Sequence, residues 1–145
     1  MTDLMQRRRA LMEVKKDSYL EQEIGYNLLV DVQNFEMVQT TNPTSGTDKR
    51  WPATADFIPI NPNYTYKVGR QNVKYYAYCY DSKKSHIGTI ITEWWGGYYS
   101  NFPHGTVYVK IGWGLTSSTI EQFKASIDQA GAYDQSKGTF FSRYS

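Results

Sequence analysis

A single cysteine, Cys79, stands in a chain of 145 residues. That excludes an intramolecular disulfide framework and a multi-cysteine zinc site. Histidine is nearly as scarce: His86 and His104 do not fall at the spacing of paired metal ligands, and both read as exposed turn residues. Charge of one sign is missing too, since 16 basic against 14 acidic residues leave +2 and a pI near 8.5. A nucleic-acid surface usually shows a clustered basic face and a pI above about 9, so no nucleic acid is expected as a partner. No apolar run approaches the roughly 20 residues of a membrane helix. A signal peptide is not expected either: only Ala10-Leu11-Met12 separates Arg7-Arg8-Arg9 from Glu13 and Lys15-Lys16, far short of an apolar leader core. The basic run itself reads as solvated or paired with acidic neighbours. Internal repeats and low-complexity tracts are absent.

Aromatic residues are plentiful. They make up 16 % of the chain, with 13 Tyr, 4 Trp and 6 Phe, while charged residues stand at 21 % against an average of about 25 %. Disordered chains lack aromatic and β-branched residues, so this one folds. The length suits one domain burying about two-thirds of its unfolded surface. Tyrosine in twofold excess over phenylalanine leaves many hydroxyls to place in water or on a partner, which favours strands and recognition over a helical bundle.

The chain divides into a helical arm over residues 1–22, a β-sandwich domain over 23–130, and a tail over 131–145 that could add an edge strand. In the arm, Thr2 or Asp3 can cap a helix, and Leu4 with Leu11 and Met5 with Met12 recur at i+7. So short a helix is marginal in water and must dock on something: its own domain, symmetry mates or a larger assembly. From Gly25 onward the helical period gives way to short strands between turn clusters. The spacing predicts strands over 27–33, 55–60, 64–68, 74–80, 86–94, 106–112 and 120–127. The clearest runs through Val107, Val109, Ile111 and Trp113, alternating with Tyr108, Lys110 and Gly112. Ile120, Phe123 and Ile127 also fit a helical period, and a strand is preferred there.

Ala55-Asp56-Phe57-Ile58-Pro59-Ile60, followed by Asn61-Pro62-Asn63-Tyr64-Thr65-Tyr66, resembles the opening strand, turn and strand of a jelly-roll family. Tyr78-Cys79-Tyr80-Asp81-Ser82-Lys83-Lys84 resembles its strand ending in Tyr-Asp with a polar hairpin. Phe102-Pro103-His104-Gly105-Thr106-Val107-Tyr108-Val109-Lys110-Ile111 resembles its proline turn leading into a strand. Thr2-Asp3-Leu4-Met5-Gln6-Arg7-Arg8-Arg9-Ala10-Leu11-Met12 resembles the opening of proteins encoded in prophages of gut Gram-positive bacteria. The family is the galactose-binding-like, carbohydrate-binding-module-like jelly-roll of phage tail and baseplate proteins. The likeness spans residues 27–130 and the arm. It implies an all-β antiparallel sandwich in a virion or surface recognition module, located in a phage tail or, before assembly, in the bacterial cytoplasm. Trp94-Trp95-Gly96-Gly97-Tyr98-Tyr99 departs from the polar stretch usual at that place, and the tail lies beyond the family's usual end.

Raw material for catalysis is thin. Cys79, between Tyr78 and Tyr80, reads as a small buried hydrophobe. Glu93 beside Trp94-Trp95 could serve a glycosidase, but that chemistry needs a second carboxylate across the sugar; Asp56 is available, and Asp81 is better explained as a hairpin residue. Gly112-Trp113-Gly114 lacks the third glycine of a dinucleotide loop. No dense Asp cluster calls for structural calcium, and no cofactor is expected.

Sugar binding needs exposed rings beside polar side chains. One constellation is Trp94, Trp95, Tyr98 and Tyr99 with Glu93 and Asn101 adjacent; it either meets a ligand or plugs the end of the sandwich. The other is the stripe Tyr76, Tyr78 and Tyr80. Alternation sets it opposite Tyr75, Ala77 and Cys79, and the small Ala and Cys favour the three rings facing outward. Such a stripe suits an extended glycan or a subunit interface. The reading is therefore a non-enzymatic module that recognises a glycan or host cell-surface polysaccharide and meets other tail or baseplate proteins. Leu4, Met5, Leu11 and Met12 would set a homo-oligomer, with a trimer the natural guess. The rival is a structural assembly subunit without a sugar ligand, and a glycoside hydrolase stands third.

Overall fold

The computed structural model describes residues 22–39, 49, 51–69, 74–92, 96–114, 118–128 and 138–145. The arm seam Leu4, Met5, Leu11 and Met12, and Glu93, Trp94 and Trp95, lie outside the described residues. Among the described residues there are nine strands: β1 Phe35–Val38, β2 Trp51–Thr54, β3 Ile58–Pro59, β4 Tyr66–Gly69, β5 Tyr75–Tyr80, β6 His86–Ile91, β7 Gly96–Tyr99, β8 Tyr108–Trp113 and β9 Phe140–Arg143. A short helix, α1, spans Ile120–Ser126, and a 3-10 turn spans Leu28–Asp31. The strands form two antiparallel sheets: a larger one in the order β1-β2-β8-β5-β6, with β3 also on β8, and a smaller one in the order β7-β4-β9.

The core forms where the two sheets share apolar positions of period two. From the large sheet come Tyr75, Ala77 and Cys79 on β5 and Val109, Ile111 and Trp113 on β8; from the small sheet come Tyr66, Val68, Tyr99 and Phe141. Pro52 sits in β2 at little cost, because β2 meets β8 at one position, Ala53 opposite Gly112, and a proline is tolerated where the ladder asks little of its missing N–H. β3 meets the other half of β8, with Ile58 opposite Val109. Asp56 bridges the break between them. Its Oδ2 accepts from the backbone of Gln33 and Asn34 and its Oδ1 from the Asn34 side chain. Partial burial pushes this carboxyl up, but those bonds and the charge of Lys110 outweigh it and hold it below the ordinary value.

Two expected strands are not strands. Over the stretch 120–127 the chain instead forms α1, Ile120–Ser126, where Thr119 Oγ1 accepts from the Gln122 N–H and Gln122 Oε1 accepts from the Thr119 N–H. This reciprocal cap satisfies two donors a helix start leaves open. The helical spacing buries Phe123, stacked on Trp113 and edge-on to Phe35. Within 27–33 the chain forms the 3-10 turn Leu28–Asp31 instead, because the buried Asn27 side chain caps it. Asn27 Oδ1 accepts from Leu29 and Phe141, and Nδ2 donates to the carbonyls of Asp128 and Thr139. The strand expected over 55–60 shrinks to β3. Strands β1, β2 and β7 lie where turns were expected; a proline in β2 and two glycines opening β7 disguise their pattern. The tail over 131–145 contributes β9, an edge strand of the small sheet.

Candidate functional site

On β5 the outward side carries Tyr76, Tyr78 and Tyr80, the inward side Tyr75, Ala77 and Cys79. The three outward rings are nonetheless buried, which corrects the expected exposed stripe. The cause lies on the neighbouring strand. Tyr78 lies over Gly112, where a Cβ would come 2.7 Å from its Oη, and Tyr76 lies over Gly114, where a Cβ would come 2.5 Å from its ring. The two rings cover bare backbone at these glycines and stack on each other at 6.2 Å and 9°. Phe57 stands edge-on to Tyr80 and Tyr108. Lys110 then covers Phe57 with its Nζ 4.5 Å from the ring centroid, held from the side by Glu36 at 3.2 Å. Tyr78 Oη donates to the Gln39 carbonyl. Burial pushes the hydroxyls of Tyr78 and Tyr80 well up. The outer face of the large sheet is thus a second, smaller core, with its ring faces already taken.

The small sheet differs. Alternation along β7 separates its two tyrosines. Tyr99, opposite Tyr66 in the ladder, turns inward and is buried against Phe102 and Phe141, which settles it as a core residue and corrects its place among the ligand contacts. Tyr98 turns outward and is 55 % exposed. It meets Tyr144, 46 % exposed, edge to face at 5.1 Å. Lys67 pairs with Tyr98 across the β4–β7 ladder, and its Nζ stands 5.6 Å from the Tyr98 centroid and 5.9 Å from that of Tyr144. Beside them the Arg143 guanidinium lies 3.6 Å over the Tyr64 ring. Asn101 is exposed just past Tyr99. No family model, curated protein or solved structure matches the chain. The site is defined by its own chemistry: two water-facing rings set at an angle, with the Lys67 ammonium over both.

That arrangement offers ring faces to aliphatic C–H groups and an ammonium to hydroxyl or acidic oxygens. It brings together Tyr98 from the expected cluster with Lys67 and Tyr144, both missed in the sequence. Tyr144 shares the outward parity of Ser142 in a tail that shows no alternation signal, and Lys67 reads as an ordinary solvated residue.

The residues weighed for catalysis are committed to structure. Cys79 is buried, and desolvation outweighs a hydrogen bond from Thr106 to push its thiol up to about 12. Asp81 Oδ1 accepts from the Lys83 and Ser85 backbone and closes the β5–β6 hairpin. His86, expected in an exposed turn, lies half-buried on β6 with its Nε2 2.9 Å from Thr89 Oγ1; His104 is exposed in a turn. Among the described residues no three His, Cys, Asp or Glu gather as a metal site, and no helix is long and apolar enough to cross a membrane.

Proposed function

We propose that this chain is a non-enzymatic recognition module that holds carbohydrate against Tyr98 and Tyr144, with Lys67 contacting the sugar's oxygens. The exposed Tyr98–Tyr144 pair carries this reading. Large rings left in water on a rigid sheet are costly unless something covers them, and sugars present the C–H faces that suit them. Both rings stand on or beside paired strands, which fixes their angle before a ligand arrives. Glu93, Trp94, Trp95 and Asn101 would extend the contact from the segment entering and leaving β7. The jelly-roll winding, the phage tail or baseplate setting and the arm-driven trimer belong to the same proposal. Chain crossings between the sheets, from β4 to β5 and from β6 to β7, support the winding; the β1–β2 and β5–β6 hairpins stay within one sheet.

Screening the full chain on a glycan array tests the reading. A hit that disappears in Tyr98→Ala and in Tyr144→Ala, with the circular dichroism spectrum unchanged, supports it. Hits unaffected by both substitutions move the site elsewhere. Silence across bacterial surface polysaccharides favours a structural assembly subunit with no sugar ligand.

A further inference from the structure

The inside of a glycan and its end ask for different surfaces. A residue within a linear chain is linked on two sides, so it needs rings laid along one plane with nothing rising across the path. A terminal residue is linked on one side, and a wall can close the other, as in the concave sites that enclose small ligands. The outer face of the large sheet has the first layout, with Tyr76, Tyr78 and Tyr80 in a row along β5, but those rings are buried. Tyr98 and Tyr144 have the second. Their planes meet at 68° with centroids 5.1 Å apart, so the edge of one ring abuts the face of the other, and the pair makes a corner rather than a floor.

The corner stands on fixed backbone. Lys67 faces Tyr98 across the β4–β7 ladder, and the Tyr144 N–H donates to the Thr65 carbonyl at 2.7 Å. Both tyrosines keep about half their surface in water with the Lys67 ammonium already over them. Toward Tyr64 the row of rings stops, because the Arg143 guanidinium lies 3.6 Å over that ring. We propose that the Tyr98–Tyr144 corner holds the terminal residue of a glycan and not a stretch within one, an inference that rests on carbohydrate being the ligand of this pair. One ring takes the C–H face of the pyranose, and the other closes the edge on which a further sugar would be linked. Lys67 reaches the hydroxyls of that same residue. The rest of the chain leaves by the opposite edge into water, so the sugars behind the terminal one add little at this pair. Specificity follows the end residue.

A glycan array, with each glycan tethered by its reducing end, tests this on the full chain. Hits are expected to share their outermost residue whatever lies behind it. The methyl glycosides of glucose, galactose, N-acetylglucosamine and rhamnose then serve as soluble competitors. The one matching the shared end is expected to bind within about threefold of the whole glycan. Tyr98→Ala and Tyr144→Ala are each expected to abolish both signals, with circular dichroism unchanged because both positions are exposed. Hits that share an internal sequence under different ends, and that tighten about tenfold or more as the glycan lengthens, overturn the proposal; if Tyr98→Ala removes them, sugar recognition at the pair still stands. Binding that survives both substitutions overturns it by placing the sugar elsewhere. An array without hits overturns it together with the carbohydrate reading.

Discussion

Replacing Gly112 by alanine is a small change with a definite expected outcome. Within a strand, glycine to alanine ordinarily gains about 0.5–1 kcal/mol by restricting the unfolded chain. Here the new Cβ would stand 2.7 Å from Tyr78 Oη, 2.8 Å from Cε2 and 3.0 Å from Cζ. The ring has little room to yield: it is fully buried, stacked on Tyr76 and bonded to the Gln39 carbonyl. Overpacking of this kind costs about 1–3 kcal/mol, so Gly112→Ala is expected to lose about 1–2 kcal/mol net. For a domain of this size that lowers Tm by about 3–6 °C. Urea unfolding followed by fluorescence measures it, with the slope unchanged. Tyr78→Leu removes all three clashing atoms, and in that background Gly112→Ala is expected to become neutral or stabilising. The cycle then shows a coupling of about 1.5–3 kcal/mol, within the range of residues in direct contact. A stabilising Gly112→Ala in the native background, or a coupling below about 0.5 kcal/mol, would refute the reading of Gly112 as the floor beneath Tyr78.

Alkaline pH should expose the buried acids. Burial holds the Cys79 thiol neutral up to about 12, whereas its unperturbed value is 9.0, and the Tyr78, Tyr80 and Tyr99 hydroxyls are raised in the same way. A folded pKa above the unfolded one contributes stability present in full below the unfolded value and lost as pH rises toward the folded one, at about 1.4 kcal/mol per pH unit for one group. Urea midpoints should be flat from pH 7 to the thiol's unperturbed 9.0 and fall steeply above it; a midpoint still flat above pH 10 would count against this burial. At Asn27, alanine should destabilise by about 2–4 kcal/mol in the same assay, because it takes the acceptor from two buried N–H groups, those of Leu29 and Phe141, each costing about 1–3 kcal/mol when unpaired, while the Thr139 carbonyl keeps the Asp128 N–H. A loss below about 1 kcal/mol would show that water replaces the side chain.

Local pattern carried the readings that were legible. Val109, Ile111 and Trp113 alternate with Tyr108 and Lys110 in both sequence and structure, because a strand buried on one face leaves that trace. Tyr76, Tyr78 and Tyr80 were placed on a face by the small size of Ala77 and Cys79, but their burial was not visible. It depends on Gly112 and Gly114 some 35 residues away, and a glycine says nothing of the ring above it. Helix α1 was misread although Thr119 and Gln122 stand at capping-box spacing. The period of Ile120, Phe123 and Ile127 fits either state, and the Thr119–Gln122 cap is what decides for the helix. The Tyr98–Tyr144 pair joins residues 46 apart through β4 and β9, and no local motif announces a pairing of that range.

Asn27 waits long during synthesis. Its partners Asp128, Thr139 and Phe141 leave the ribosome 101 to 114 residues after it, and β4 waits similarly for β9. The Asn27 turn and the small sheet cannot close until residues 138–145 have cleared the exit tunnel. Chains truncated before residue 138 would keep the larger sheet's pairings but leave the Asn27 knot untied, so a prematurely released product is open at one flank and ready for proteolytic clearance.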